Sequence, residues 1–462
     1  MPSVALSDSM PNFTNKFFDE GRYKLLDQLG SGAYGKVYRA LDTTSPSTNP
    51  VHYAVKCLVR PKPGSRQDDF QRREFNLHNM VCAHPNIVTI HKVVVQGEFV
   101  FVILDLCTGG DLFTAITENQ VFSGRDDLVK KSFIELLDAI HWCHEKGVFH
   151  RDIKPENVLC AEDGSYLRLA DFGLSTRQRV SRDFGCGSSY YMSPECIGKE
   201  VRMQMYSTRH SDVWSLGVIL VNMITGRNPW RYATTKDDCF AAFIHDTDFL
   251  LQVLPISSDA NEVIKRIFTL NPQERISLPD LRKEILKLDT FFMSQKDLAL
   301  ASDCVRDAAR GYGLRVPPAR ITRTPIVTSE AANVDTSSDD QVSAGSSSSE
   351  EEYLYPSPGE QPSPPTEHLD LTDLRIVDSI AINDEPVVRT SSESSAGDSE
   401  GPVTPETYPV DPDVEIPDIS EELDQPVVAD RESTLKAPSK PSQFLQRAVQ
   451  RLKGISTGSL AF

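Results

Sequence analysis

The sequence predicts an α+β protein with two lobes, a small antiparallel β-rich lobe followed by a larger helical one. Up to about residue 105, short β-rich runs alternate with glycine-containing turns, and only 68–83 spaces its apolar residues as a helix does. Helical spacing dominates afterwards, over 127–147, 211–226 and 259–270. This order of elements predicts the bilobal architecture and says nothing about chemistry.

The charge of the chain is concentrated at one end. Residues 1–296 contain 35 Lys and Arg against 36 Asp and Glu, whereas residues 297–462 contain 13 against 30. Segments rich in Pro, Ser and acidic residues bury too little apolar surface to offset the entropy of ordering, and acidic charge disfavours nucleic-acid partners. We therefore predict three regions: a disordered start (1–21), a folded domain (22–293) and a long disordered acidic C-terminal tail (294–439). The tail is either a solvating linker or a regulatory docking segment.

One short segment interrupts the tail. Within 440–455 the apolar residues fall on one face of a helix, opposite two arginines. These apolar residues are Phe444, Leu445, Ala448, Val449 and Leu452. The pattern predicts a short basic amphipathic helix for a docking partner, the folded domain or an anionic membrane, although an unstructured end with accidental spacing remains open.

The remaining bulk features concern location. Residues 1–18 lack the basic and apolar regions of a secretory signal, and no run reaches the ~18 apolar residues of a membrane span. Nine cysteines are scattered without a C-x-x-C pair, which favours free thiols in a reducing compartment. We expect a protein without a transmembrane segment, located in the cytoplasm, the nucleus or both.

A glycine turn joins the first two predicted strands of the domain. Gly30, Gly32 and Gly35 would let backbone N–H groups approach phosphate oxygens, although a plain hairpin turn has the same pattern. Lys56 follows in the strand "YAVK", and Glu74 lies in the predicted helix. A lysine that contacts phosphates needs a carboxylate to hold it, but either residue alone is typical of a solvated surface.

Four further polar residues cluster in "HRDIKPENVLCAEDGSYLRLADFG". Asp152, Lys154, Asn157 and Asp171 lie within twenty residues of one another. A proton acceptor and magnesium ligands on a loop fixed by proline suit phosphoryl transfer, in which the protein mainly neutralises charge and aligns the reactants.

Seven motifs together resemble those of eukaryotic-type protein kinases. The glycine turn, "YAVK", the helix glutamate, "HRDIKPEN", "DFG", "SPE" and "DVWSLG" occur in the family's order over roughly 22–293. The lysine in "RDIKPEN" is similar to that of the serine/threonine-specific branch. The stretch "FGCGSSYYMSPEC" resembles fungal kinases that act in nutrient response and in repression of meiosis.

The resemblance implies a role for each site residue, with ATP and Mg²⁺ as cofactors and proteins as substrates. The catalytic residues would be Asp152 as the base that accepts the substrate proton, Lys154 at the γ-phosphate, Asn157, and the Lys56–Glu74 pair. The magnesium ligands would be Asn157 and Asp171. The nucleotide would contact Leu29, Gly30, Gly32, Gly35, Val37, Ala54, Lys56, Leu104, Asp105, Cys107, Asp111 and Leu159. The resemblance implies no nucleic-acid partner, and we expect the protein to be a monomer.

Two supporting contacts and one departure also follow from the resemblance. Glu195 is expected to pair with Arg275, and Asp212 to cap the catalytic loop, the motif "HRDIKPEN" at 150–157. His78 stands where the family usually has an apolar residue that packs between the lobes. A shift to Leu77 would restore the apolar contact, and the sequence leaves this choice open.

The tripeptide Asp-Phe-Gly occurs twice, at 171–173 and at 183–185. A strand, a turn and a strand precede Asp171, whereas no strand precedes Asp183, so Asp171 is the predicted metal ligand. Phe184 stands where many relatives carry a phosphorylated threonine that pairs with the arginine corresponding to Arg151. Either Phe184 simply packs the segment down or Asp183, with Ser181 nearby, supplies the missing charge.

Three functional hypotheses follow. The first is an active serine/threonine kinase, with a preference for arginine upstream of the phosphorylated residue because Asp111 and Glu156 align with acidic positions of basophilic relatives. The second is a pseudokinase-type scaffold, which would be expected to lack one of the catalytic groups. The third is a small-molecule phosphotransferase, which would lack the peptide-binding segment "GCGSSYYMSPE".

Overall fold

The computed structural model of the chain describes residues 6–32, 35–199 and 204–318. The small lobe contains six strands and one helix. They are β1 (Phe17–Phe18), β2 (Tyr23–Gly32), β3 (Gly35–Asp42), β4 (His52–Val59), α1 (Arg66–Val81), β5 (Ile90–Gln96) and β6 (Phe99–Asp105). The strands form one antiparallel sheet in the order β1-β2-β3-β4-β6-β5, which confirms the predicted small β-rich lobe with one helix.

The two faces of this sheet have different partners because side chains alternate along a strand. On β4, Val55 and Cys57 are buried on the outer face, whereas Leu58 belongs to an inner cluster that packs near Phe75 of α1. Lys56 has the same strand parity as Leu58 and therefore lies on the inner face, toward α1. The sheet thus presents its predicted functional lysine to the helix that carries Glu74.

Helix α1 has a well-defined start. The Ser65 side chain caps it by accepting a hydrogen bond of 3.2 Å from the backbone N–H of Asp68. Asp68 and Asp69 place negative charge in the first turn, where the helix dipole favours it. The cap fixes the helix register and thereby the direction in which Glu74 points.

The larger lobe is mainly helical. Its elements are α2 (Leu112–Thr117), α3 (Asp126–Glu145), a 3₁₀ turn (Pro155–Asn157), β7 (Val158–Leu159), β8 (Arg168–Leu169), β9 (Val180–Ser181), α4 (Pro194–Ile197), β10 (Tyr206–Ser207), α5 (Thr208–Thr225), α6 (Asp238–His245), α7 (Phe249–Val253), α8 (Ser258–Ile267), α9 (Leu278–Lys287), α10 (Gln295–Leu300) and α11 (Asp303–Gly311). Helix α5 is buried over most of its length and forms the centre of the core. None of the described helices is long and apolar enough to cross a membrane.

The expectation of a disordered start at 1–21 is wrong for residues 6–21. Residues 6–18, the N-terminal strap, lie across the outer face of the sheet and bury Met10, Phe13 and Phe18 there. The backbone N–H of Asn15 donates to Leu25 O at 2.8 Å. The strap is ordered because the sheet offers a large apolar face that these aromatic side chains cover.

The predicted start of the disordered tail at 294 is also wrong. Residues 295–318 continue the larger lobe through α10 and α11. The Tyr312 hydroxyl donates to Met223 O at 2.8 Å, and the buried Arg306 guanidinium donates to the carbonyl oxygens of Leu298 and Pro317. The predicted tail beyond 318 and the predicted helix at 440–455 lie outside the described residues.

We expect residues 297–318 to be required for full stability. A fragment of residues 1–296 lacks the buried side chains of Leu298, Val305 and Tyr312. Because a buried apolar side chain contributes about 1.5–3 kcal/mol, the free energy of unfolding should fall by about 4 kcal/mol or more relative to a fragment of residues 1–318. Urea unfolding of the two fragments measures this difference, and equal midpoints would contradict the packing seen here.

Candidate active site

Lys56 joins the two lobes electrostatically. Its Nζ lies 2.8 Å from Glu74 Oε1 on α1 and 4.0 Å from Asp171 Oδ1, at the start of the segment after β8. The sequence predicted the Lys56–Glu74 pair, and the structure forms it. Three charged groups from a strand, a helix and a loop therefore meet in the cleft between the lobes.

The charges of this group support one another. Burial alone would lower the pKa of Lys56, but the Glu74 and Asp171 carboxylates outweigh it and hold the pKa above its usual value. The Lys56 ammonium in turn holds the pKa of Asp171 below its usual range. Both groups are therefore charged at neutral pH, which suits a site for a polyanion and its cation.

The predicted catalytic loop places its polar groups around one carboxylate. The amide Nδ2 of Asn157 donates to Asp152 Oδ2 at 3.1 Å and to Asp152 O at 2.9 Å. Lys154 Nζ lies 3.4 Å from Asp152 Oδ2. The loop thus brings Asp152, Lys154 and Asn157 together as the sequence predicted.

Ser188 is a member of this site that the sequence predictions missed. Its backbone N–H and its hydroxyl both donate to Asp152 Oδ1, at 3.0 and 2.9 Å, and Lys154 Nζ donates to its Oγ at 3.0 Å. Ser188 lies 36 residues after Asp152, so no local spacing connects the two. The available signal was its place in "GCGSSYYMSPE", the segment predicted to bind the peptide.

Asp212 of α5 holds the catalytic loop in place by hydrogen bonds to its backbone. Its carboxylate accepts from the backbone N–H groups of His150 (3.0 Å) and Arg151 (2.8 Å), and from His144 Nε2 (2.8 Å). Arg151 has a φ of 66°, in the left-handed region that non-glycine residues rarely adopt. These hydrogen bonds offset that strain and confirm the predicted cap.

His78 itself contacts Phe172 of the larger lobe, and Leu77 is buried in the hydrophobic cluster that contains Phe172. Its ring stacks on Phe172 at a centroid distance of 4.6 Å, and its Nε2–H donates to Val88 O at 2.6 Å. Burial lowers the pKa of His78 to about 4, so the ring is neutral and behaves as a flat, mostly apolar group. His150 packs against the same Phe172 ring at 4.9 Å. The residue that departs from the family pattern therefore makes the expected kind of contact.

The predicted nucleotide contacts surround the cleft beside Lys56. Strand register places Val37 next to Lys56 and Ala54 next to Leu104, while Leu159 forms an isolated bridge with Asp111 on the opposite lobe. The other predicted contacts lie in β2, at the start of β3, at the end of β6 and directly after β6, and comprise Leu29, Gly30, Gly32, Gly35, Asp105 and Cys107. Leu29 is about half exposed.

Three of these residues have structural tasks that the sequence did not show. A side chain at Gly35 would clash with the carbonyl oxygen of Cys57, so close strand approach requires this glycine, whereas Gly30 and Gly32 face open space. Asp111 Oδ1 caps α2 by accepting from Thr114 N at 2.7 Å. The Asp105 side chain is bound by His91 and Arg168, which leaves its backbone for the predicted contact with the nucleotide.

The family model of the protein kinase domain matches residues 23–288, more than half of the chain. The chain belongs to the protein kinase family. The "Negative regulator of sexual conjugation and meiosis" of Schizosaccharomyces pombe is 40% identical over 272 residues, which are 55% of this chain and 57% of that relative. The "Serine/threonine-protein kinase VHS1" of Saccharomyces cerevisiae is 34% identical over 332 residues (58% and 70%), and the "Serine/threonine-protein kinase ksp1" of Schizosaccharomyces pombe is 33% identical over 291 residues (61% and 60%).

These relatives confirm the predicted resemblance to fungal kinases. The chain spans less than two thirds of the length of the first and third of them.

The family's buried ion pair is also present: Arg275 Nη2 donates to Glu195 Oε2 at 3.1 Å, with both side chains almost fully buried. Arg275 donates further to His210 O at 2.8 Å. The predicted Glu195–Arg275 contact thus anchors the end of the activation segment, the stretch from Asp171 to Glu195.

Proposed function

We propose that this protein is an ATP- and Mg²⁺-dependent kinase that transfers the γ-phosphate to serine and threonine hydroxyls of proteins. The observation that carries the proposal is the intact charged group in the cleft, with Lys56 Nζ 2.8 Å from Glu74 and 4.0 Å from Asp171. The relatives named as serine/threonine kinases support the same reaction. A preorganised set of charges of this kind suits phosphoryl transfer, which depends on alignment and electrostatic stabilisation.

Asp152 is the proposed base. In the structure its Oδ1 already accepts from a serine hydroxyl, that of Ser188, at 2.9 Å. Its Oδ2 has one good donor in Asn157 at 3.1 Å and a longer contact of 3.4 Å with Lys154. A substrate hydroxyl can replace that longer contact, pass its proton to Oδ2, and leave Lys154 to stabilise the transferred phosphate.

A magnesium ion suits the chemistry of the predicted ligands. Asn157 uses its NH₂ group for Asp152, which leaves Oδ1 as an acceptor, and the Asp171 carboxylate is about half exposed beside Lys56. Within 6–32, 35–199 and 204–318, no group of three or more His, Cys, Asp or Glu side chains forms a metal site by itself. Mg²⁺ typically binds one or two protein carboxylates and completes its shell with phosphate oxygens and water. When bound, the ion neutralises charge that develops on the phosphates.

A pseudokinase-type scaffold is the alternative, and incubation of the full chain with Mg-ATP and a Ser/Thr peptide library distinguishes the two. The proposal expects phosphate incorporation that Lys56→Met abolishes, since this variant removes the cation paired with Glu74. The absence of transfer to every peptide, together with retained nucleotide binding, would support the scaffold.

We expect the same library to show a preference for arginine two or three residues upstream of the acceptor. Glu156 is exposed directly after Pro155 of the catalytic loop, and Asp111 is held in place at the start of α2. Replacing the preferred arginine of a peptide by alanine should lower kcat/KM about tenfold, because a hydrogen bond to a charged group contributes about 1.5 kcal/mol. Glu156→Gln should reduce this difference. A dominant requirement for proline directly after the acceptor would contradict the prediction.

A further inference from the structure

The N-terminal strap contacts the strand that leaves the glycine turn. Phe13 packs edge-on against three rings, at centroid distances of 6.1 Å (Tyr38), 4.9 Å (Phe99) and 5.7 Å (Phe101). Its backbone N–H donates to the Tyr38 hydroxyl at 3.2 Å. The strap thus bonds to β3 as well as covering the apolar centre of the sheet.

A second polar contact lies nearer to the turn. Lys36, directly after Gly35, donates from Nζ to Met10 O at 2.9 Å. The Tyr38 hydroxyl also donates to Gln28 Oε1 on β2 at 3.2 Å, which connects the strap to both strands of the hairpin. The strap therefore restrains β2 and β3, the two strands that carry the glycine turn, through contacts that lie outside the turn itself.

Because side chains alternate along a strand, the strap and the proposed nucleotide site lie on opposite faces of β3. Lys36 and Tyr38 face the strap, so Val37 between them points to the opposite face, beside Lys56. The register pairs Gly30 with Val37 and Gly32 with Gly35, so the twist of this hairpin sets the positions of these three glycines. A change on the strap side can alter the turn without touching the ATP side.

We propose that the N-terminal strap is a positioning element of the nucleotide site, which holds the glycine turn in the orientation that receives ATP. The family match begins at residue 23, so the strap lies outside the matched domain. The inference rests on the proposed function, because it concerns the binding of ATP. Its physical basis is that ordering the hairpin in advance removes an entropic cost from ligand binding.

The test uses the full chain with Phe13→Ala and a matched control, Phe17→Ala. Both residues lie in the strap, but Phe13 is buried and Phe17 is 55% exposed. If Phe13→Ala reduces the fraction of molecules with a correctly placed turn to between a third and a tenth, the apparent KM for ATP rises about three- to tenfold. The KM for peptide should stay constant. Phe17→Ala should leave both values unchanged, and amide exchange of residues 28–38 should accelerate only in Phe13→Ala.

A second control separates positioning from general loss of stability. Leu298→Ala empties a buried site in α10, in the other lobe, and lowers the midpoint of thermal unfolding without contact to the strap. At temperatures well below that midpoint, Leu298→Ala should leave the KM for ATP unchanged. An unchanged KM in Phe13→Ala, with a loss of stability like that of Leu298→Ala, would overturn the proposal. If the wild-type chain transferred no phosphate, the proposed function would fail, whereas amide exchange at 28–38 would still decide whether the strap orders the turn.

Discussion

Asp171→Asn and Asp152→Asn should each lower the rate of phosphate transfer at least ~100-fold, whereas Asp183→Asn should have a far smaller effect. The three substitutions remove the same charge from the same residue type, so the comparison isolates position. Asp171 lies 4.0 Å from Lys56, and Asp152 is surrounded by the catalytic loop, whereas the Asp183 carboxylate pairs with Arg151. The ranking therefore tests which of the two Asp-Phe-Gly copies serves the metal.

Initial rates with a good peptide and saturating Mg-ATP give this ranking. Thermal unfolding of each variant provides the control, since the Asp171 side chain is about half exposed and its replacement should preserve the fold. Nucleotide binding should persist in Asp152→Asn, because that residue contacts the loop and not the predicted ATP pocket. If Asp183→Asn were the more damaging of the two Asp-Phe-Gly variants, the assignment of Asp171 would be wrong.

A site residue can be predicted from sequence when the motif that identifies it is short and continuous along the chain. Lys56, Asp152 and Asp171 each lie in a short motif, and the order of those motifs specifies a fold that brings them together. The tasks of Asp105 and Ser188 depend on partners that are distant in sequence: Arg168 is 63 residues from Asp105, and Asp152 is 36 residues from Ser188. The spacing of residues along the chain does not predict contacts of this kind.

The two ends of the folded domain were missed for a related reason. Met10, Phe13 and the Phe17–Phe18 pair are spaced irregularly among mostly polar residues, so they show neither helical nor strand periodicity. Their burial depends on an apolar sheet face that exists only after β2, β3 and β6 have assembled. Helix α10 has only six residues, which is too short for periodicity to identify. Both ends also lie outside the seven motifs that defined the predicted domain at 22–293.

The position of Asp183 bears on regulation. The buried Arg151 guanidinium is 3.1 Å from Asp183 Oδ2 and 3.3 Å from Ser181 Oγ, and its Nε donates to Leu174 O at 2.7 Å. Phe184 packs closely over Gly198, where any side chain would clash with its ring. The two explanations that the sequence left open are therefore compatible: Phe184 packs the segment down while Asp183 supplies a charge to Arg151.

A second cation lies close to this pair. Arg73 of α1 has its Nε buried without a hydrogen-bond partner among the described residues. Burial lowers the pKa of Arg73, and the charge of Arg151 lowers it further, while Asp183 opposes both effects. The Asp183 carboxylate thus interacts electrostatically with two guanidinium groups, that of Arg73 on the helix that carries Glu74 and that of Arg151 beside the proposed base Asp152. A permanent charge at residue 183 can hold this arrangement without phosphorylation.

The full chain should therefore remain active when it is unphosphorylated. After expression in bacteria, phosphatase treatment and confirmation by mass spectrometry, it should still phosphorylate a good peptide. Asp183→Asn should lower kcat no more than about tenfold, since one charge-assisted hydrogen bond contributes about 1.5 kcal/mol. Asp183→Lys should lower it at least about thirtyfold, because like charges 4 Å apart repel by up to about 4 kcal/mol at an effective dielectric of about 20, and partial exposure weakens this. Complete loss of activity on dephosphorylation, restored by phosphate at Ser181, Ser188 or Ser189, would instead show that a phosphorylation switch operates elsewhere in the segment.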